Sequence, residues 1–299
     1  MLNESQKKKT QELLVQFVEG YPSQAQAAKV FKNISEANII NIRKGNWDSI
    51  SDKMWRNVAE QLGHNLNGEW FAAPTANYRT GFAFFEDSRQ YGNVFAIAAS
   101  AGSGKSYLAE QYRLQTPHVY IITCAEYMNR KVFLQNLLEQ MGRPVDGTVS
   151  ELIDRTVDNL RRIERPLLIL DEFDKLTDAS MYFFITLYNR LKGKCGIVLM
   201  ATEFLVKRIK RGRALQRKGY DEIHSRIGHT FVGFGRNTYE EIRRICQANG
   251  MDDAHAIREI FNSYEGDLRR LERLVHKHRM TTAMENAQNP LKMIQDESN

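Results

Sequence analysis

The sequence predicts an α/β fold built on a parallel sheet, and three observations carry that expectation. The apolar run Val94-Phe95-Ala96-Ile97-Ala98 leads into Ala99-Ser100-Ala101-Gly102-Ser103-Gly104-Lys105-Ser106. A second apolar run, Leu167-Leu168-Ile169-Leu170, ends in Asp171-Glu172. Strands expected near 94–98, 119–123, 167–170, 196–201 and 229–234 alternate with other segments, as right-handed crossovers between parallel strands require.

The first run ends in a phosphate-binding loop. Small residues let backbone N–H groups close around a β-phosphate, Lys105 reaches the β- and γ-phosphates, and the Ser106 hydroxyl ligates Mg²⁺ at a helix N-terminus. Ser100, Ala101, Gly102, Ser103, Gly104, Lys105, Ser106 and Tyr107 are therefore the expected nucleotide contacts, with ATP and Mg²⁺ as cofactors. The general pattern has glycine where this chain has Ala99, so an extended rather than left-handed backbone is expected there.

Four aliphatic residues ahead of Asp171 form a strand buried on both faces, and in open α/β sheets ligands sit at the C-terminal ends of strands. Asp171 is expected to hold the hydrated Mg²⁺ and Glu172 to polarise the attacking water. The loop lies about 65 residues upstream, room for intervening α/β elements.

The 299 residues suffice for two or three compact units. A net charge of +6 is compatible with a polyanionic partner without demanding one. Cys124, Cys195 and Cys246 are too widely spaced for a metal site or a disulfide framework. The first residues carry no apolar leader, and no apolar stretch approaches 18 residues. These features predict a cytoplasmic protein with no membrane partner.

Residues 1–68 read as helical. Ser23 caps a helix over Gln24 to Phe31, Asn33 suits a left-handed turn, and Ser35 caps a helix over Glu36 to Arg43 that stops at Gly45. Another helix runs from about Ser51 to Leu62 and ends at Gly63. Ala27, Val30, Ile39 and Ile42 can pack two short helices across the tight turn. Ser35, Asn38, Asn41 and Lys44 then face outward, where Asn can read adenine and Ser and Lys can hold phosphate. The first 72 residues hold nine Lys or Arg against eight Asp or Glu, so no strong basic field surrounds them. An ordinary helical docking module is the alternative. Residues 64–93 read as a linker and lead-in, and the chain is again helical after Asn237, with a polar tail from Glu285.

A denser basic run spans Lys207 to Lys218, in a loop or short helix at the nucleotide end of the sheet. Lys207, Arg208, Lys210 and Arg211 are its candidates for tracking phosphates, and Arg130 with Lys131 form a second pair. A solvated helix face or a subunit contact is the competing reading.

Three further features complete a pattern. Thr202 follows the fourth strand, where a polar residue would sit between the acids and orient water, with Glu203 as the adjacent alternative. Arg226 precedes the last strand, and Gly266-Asp267-Leu268-Arg269-Arg270 opens a C-terminal helix. In this order they resemble the sensor 1, arginine finger and sensor 2 of AAA+ ATPases. The last motif is similar to that of the initiator and clamp-loader side of that superfamily.

Residues 1–68 resemble a lambda-repressor-like helix-turn-helix domain, 69–235 an AAA+ core, and 236–299 a helical lid. That combination resembles the family of the B transposition protein of phage Mu. The resemblance implies an ATPase that assembles as helical filaments on double-stranded DNA, selects target DNA, and activates a transposase that in turn stimulates hydrolysis. It also implies roles for Thr202, Arg226 and Arg269 in hydrolysis or its sensing. A helicase-loader-type ATPase and a nucleotide-regulated transcription factor are the rival readings.

Overall fold

The computed structural model describes residues 2, 4–21, 23–62, 70 and 73–288. The expected helix stop at Gly63 and the end of the polar tail lie outside the described residues. The chain forms two compact units. One comprises Met1–Asn67, Thr80–Ser100 and Lys105–Phe234, and the other Gly68–Arg79, Ala101–Gly104 and Gly235–Asn299.

The first unit starts with four helices, α1 (Glu4–Glu19), α2 (Gln24–Val30), α3 (Glu36–Arg43) and α4 (Asp52–Gln61). Ser23, Ser35 and Ser51 cap α2, α3 and α4 by accepting from the N–H groups of Gln26, Asn38 and Met54. Asn33 takes the left-handed turn between α2 and α3 (φ 59°). Leu14, Ala27, Ile39, Ile42, Trp55 and Val58 are fully buried among these helices. Where the sequence suggests a linker and lead-in over 64–93, residues Ala76–Tyr91 form a 16-residue helix, α5. Its buried residues Gly81, Phe85 and Ser88 recur at helical spacing, and two of them are too small to register as an apolar stripe.

The sheet consists of β1 (Val94–Ala98), β2 (Val119–Thr123), β3 (Leu167–Asp171), β4 (Gly196–Ala201) and β5 (Phe231–Val232), all parallel, in the order β2-β3-β4-β1-β5. The last strand is shorter than the expected 229–234. Helices α6 (Lys105–Gln115), α7 (Arg130–Gln140), α8 (Val149–Arg162), α9 (Asp178–Leu191), α10 (Glu203–Ala214) and α11 (Tyr220–Arg226) connect the strands. β3 and β4 are buried along their whole length, which explains their continuous aliphatic sequence.

The N-terminal helices pack on the β2 side of this sheet within the same unit. α1 meets α6, where the Arg113 guanidinium lies 5.7 Å from the Phe17 ring centre. α2 meets α7, the Tyr21 hydroxyl donates to Gln140 O at 3.1 Å, and Lys32 lies 3.9 Å from Glu139. The Gln140 side-chain amide accepts from Ile121 N and donates to Ile121 O. It thereby occupies backbone groups that an edge strand otherwise leaves open to pairing.

In the second unit, α12 (Tyr239–Ala248), α13 (Ala254–Ser263) and α14 (Leu268–Gln288) surround Ile242, Ile245, Cys246, Tyr264, Leu271 and Val275. Glu241 accepts from Ala76 N at 2.6 Å and completes a capping box with Thr238, which ties residues 76–77 to the start of α12.

Candidate nucleotide site

In the first unit, β1, β3 and β4 end side by side with α6 starting among them. β4 lies between β1 and β3, so Thr202 follows the strand that separates Ala98 from Asp171. Lys105 is buried at the first position of α6, and its Nζ donates to Ala99 O at 2.7 Å and Ser100 O at 2.9 Å. Those carbonyls hold the ammonium at the mouth of the loop. Ala99 has no positive φ, as expected, whereas Gly102 and Gly104 do, at 74° and 89°.

Ser106 Oγ donates to Asp171 Oδ2 at 2.5 Å. Asp171 is 4% exposed, and burial raises its pKa above the ordinary carboxyl value. The Ser106 hydroxyl and the Glu172 N–H, which donates at 2.9 Å, pull the other way. A hydroxyl and a carboxylate in contact at a helix N-terminus are hard oxygen donors, and Mg²⁺ takes one or two of these from protein and completes its shell with water. The donor set thus fits Mg²⁺, with Ser106 and Asp171 as the residues that would hold it.

Glu172 sits in a left-handed backbone conformation (φ 55°) that is uncommon for a residue with a side chain. Lys175 Nζ donates to its Oε2 at 2.7 Å across the short 3-10 turn Phe173–Lys175. The Thr202 hydroxyl caps α10 by accepting from Phe204 N and donates to Asp174 Oδ2. Cys124, beside this site, donates its N–H to Asp171 O at 2.8 Å, and burial pushes its thiol up to about 12, so the sulfur is not a nucleophile.

Arg226 is half-buried. Its Nη1 donates to Glu222 O at 3.1 Å, its Nη2 to Asn189 Oδ1 at 3.2 Å, and its guanidinium lies 5.4 Å from the Tyr188 ring centre. In the second unit, Leu268 N donates to Gly102 O at 2.8 Å, and a Cβ on Gly102 would fall 2.1 Å from Asp267 Oδ1. The Gly-Asp-Leu-Arg-Arg segment therefore packs directly on part of the phosphate loop. Arg269 is exposed at the start of α14, and Arg270 pairs with Glu265 at 2.8 Å. Ser100, Ala101 and Tyr107 are exposed, and Ser103 is half-buried.

Among the candidate DNA contacts, Ser35 spends its hydroxyl on the cap of α3, Asn38 and Asn41 are half-buried, and Lys44 is exposed. Arg130 and Lys131 are exposed on the first turn of α7, and Lys207, Lys210 and Arg211 are exposed on α10. Arg208 does not belong with them. Its guanidinium donates to Asp174 O, Leu176 O, Tyr220 Oη and Asp178 Oδ1, and its side chain is 18% exposed. The residue is committed to an internal network because it lies among the buried Leu205, Ile209 and Gly212 of α10. Asp174 and Lys175 join the site without standing out in the sequence. The Glu172–Lys175 spacing is readable there, but the pairing of Asp174 with Thr202 needs the placement of β3 beside β4.

Residues 88–209 match the family model described as "AAA domain". No curated protein is significantly similar to the chain. Among solved structures, Cdc6p from Pyrobaculum aerophilum superposes with a TM-score of 0.50 at 15% identity, over 69% of this chain and 62% of that one. NtrX from Brucella abortus, solved in complex with ATP, gives 0.46 at 14% identity over 82% and 59% of the two chains. The chain thus spans about 60% of the length of either. The five-stranded order, the loop geometry and the matched segment agree: the chain has the fold of AAA+ P-loop NTPases, and its residues 88–209 are similar to the AAA domain, a nucleotide-binding ATPase-type module.

Proposed function

We propose that the chain is an ATP-dependent DNA-binding ATPase that assembles on double-stranded DNA and selects target DNA for a transposase. In this reading, Lys105 holds the phosphates, Ser106 and Asp171 hold Mg²⁺, and Glu172 orients and deprotonates the attacking water. The metal supplies charge neutralisation at the transferring phosphoryl group. Thr202 reports on the γ-phosphate, Arg226 completes a neighbouring copy's site, and Arg269 senses bound nucleotide.

The observation that supports this reading most directly is the seating of the N-terminal helices on the strand-and-helix core of the same unit, α1 on α6 and α2 on α7. Helix α6 begins at Lys105 and carries Arg113 against Phe17 of α1, so the helix that precedes the DNA-reading candidate rests on the helix that follows the phosphate loop. Exposed cations on α7 and α10 of the same unit add a phosphate-tracking surface that carries no base information. Negative-stain microscopy of the full chain with plasmid DNA tests the reading. Long arrays that form with ATP and Mg²⁺ on unrelated sequences support it, and a DNA-bound protein that never forms arrays with ATP contradicts it.

A nucleotide-regulated transcription factor is the second reading, favoured by the Asn38 and Asn41 side chains on α3, a residue type suited to adenine. It requires one tight site rather than an array.

A further inference from the structure

The turn Phe173–Lys175, directly after the strand that carries the two acids, holds both candidate hydrolytic side chains. Lys175 Nζ donates to Glu172 Oε2 at 2.7 Å, and Asp174 Oδ2 accepts from Thr202 Oγ1. With these partners, Glu172 Oε2 and the Thr202 hydroxyl proton are both engaged within the chain. The turn itself is braced from α10. Arg208 Nη1 donates to Asp174 O at 3.0 Å and Leu176 O at 2.7 Å, and so grips the backbone on both sides of Lys175. Arg208 Nη2 pairs with Asp178, and Arg208 Nε donates to Tyr220 Oη at 3.2 Å, which in turn donates to Asp178 Oδ1 at 2.8 Å. The Tyr220 ring lies against Gly212, where an added Cβ would come within 2.4 Å of it. One arginine thus locks α10, α11 and the start of α9 to the turn. The neighbouring Lys207, Lys210 and Arg211 on the same helix are exposed.

We propose that Arg208 is a positioning residue that transmits phosphate contact at the exposed α10 cations to Glu172 and Thr202 through the 173–175 turn. A displacement of α10 on a polyanion pulls on the carbonyls of Asp174 and Leu176. The planar guanidinium fork makes that grip directional in a way an ammonium cannot. Movement of the turn separates Lys175 from Glu172 and Asp174 from Thr202, and frees both side chains for the water and the γ-phosphate. Hydrolysis then depends on DNA through residues that touch neither DNA nor nucleotide. The proposal rests on the reading of the chain as a DNA-binding ATPase.

The test measures ATP hydrolysis with and without double-stranded DNA, together with DNA affinity, in the full chain and in Arg208→Lys and Lys175→Ala. In the wild type, DNA should stimulate hydrolysis about 5-fold or more, the low end of ordinary coupling between sites. Arg208→Lys keeps the charge and should keep DNA affinity, but should lose most of the stimulation. Lys175→Ala, at an exposed pair with little bearing on folding, should raise hydrolysis without DNA and reduce the ratio. Full stimulation in Arg208→Lys, together with no change in Lys175→Ala, overturns the proposal and leaves the DNA-binding reading standing. Absence of DNA binding by the wild type overturns that reading and the coupling with it.

Discussion

Ser106 Oγ and Asp171 Oδ2 lie 2.5 Å apart although 65 residues separate them, and this contact joins the start of α6 to the end of β3. It also sets an electrostatic conflict. Asp171 is buried, its pKa is raised mainly by desolvation in spite of the Lys105 ammonium, and its ionised form therefore works against the fold.

Asp171→Asn is expected to raise the melting temperature of the nucleotide-free protein. The sign follows from linkage: a carboxyl whose pKa is raised on folding contributes stability below its unfolded value of about 3.9 and loses it as pH rises through the raised value. The advantage of the variant should therefore be present at neutral pH and vanish in acid. The same variant should lose the further stabilisation that Mg²⁺ adds to ATP. Melting curves from acid to neutral pH, with and without Mg²⁺-ATP, check both halves.

Lys105→Ala removes the cation proposed to face the phosphates. A ligand present at 100 times its dissociation constant stabilises the folded state by about 2.7 kcal/mol, which corresponds to roughly 5–10 °C for a unit of this size. The wild type should show a shift of that order with ATP, and the variant none. An undiminished shift would remove the phosphate-loop assignment.

Replacing Lys207, Lys210 and Arg211 together by alanine should weaken binding about equally on all DNA sequences. Each lost phosphate contact reduces the slope of log affinity against log salt by about 0.9, so the triple variant should lose nearly 3. An unchanged slope means that α10 does not track the backbone. Adding Arg208 to this set confuses a surface contact with an internal brace, because its guanidinium is already engaged by Asp174, Leu176, Asp178 and Tyr220.

Arg226 has partners in its own chain, Glu222 O, Asn189 Oδ1 and the Tyr188 ring. As a finger for a neighbouring copy it must exchange them for a γ-phosphate on assembly. Arg226→Ala is then expected to bind ATP with unchanged affinity yet hydrolyse it about 10³-fold more slowly. Normal turnover in the assembled variant means that the residue only packs α11 against α9.

The parts of the site that are legible in the sequence are those whose chemistry is local. Lys105, Ser106 and Asp171 stand beside apolar runs that dictate strands, and the structure brings all three together. The serine caps and the left-handed Asn33 likewise depend on neighbours within a few residues. Helix α5 escapes a reading of apolar periodicity because Gly81 and Ser88 carry its buried face. A Cβ at Gly81 would fall 2.1 Å from Leu108 Cδ2, so a larger residue there needs Leu108 to move. Arg208 passes for a surface cation because a charge run looks uniform in sequence. The spacing of Leu205, Ile209 and Gly212 nevertheless places it amid the buried stripe, a signal that helical periodicity alone carries. The hold of Asp174 on Thr202 has no such signal, because it is created by strand order.

The central claim is that nucleotide state governs DNA affinity. Fluorescence anisotropy with two unrelated double-stranded oligonucleotides, at fixed salt, measures it in the full chain and in Lys105→Ala. Mg²⁺-ATP should tighten binding of the wild type to both sequences by a similar factor and leave Lys105→Ala at the nucleotide-free affinity. Equal affinity of the wild type with and without Mg²⁺-ATP would contradict it.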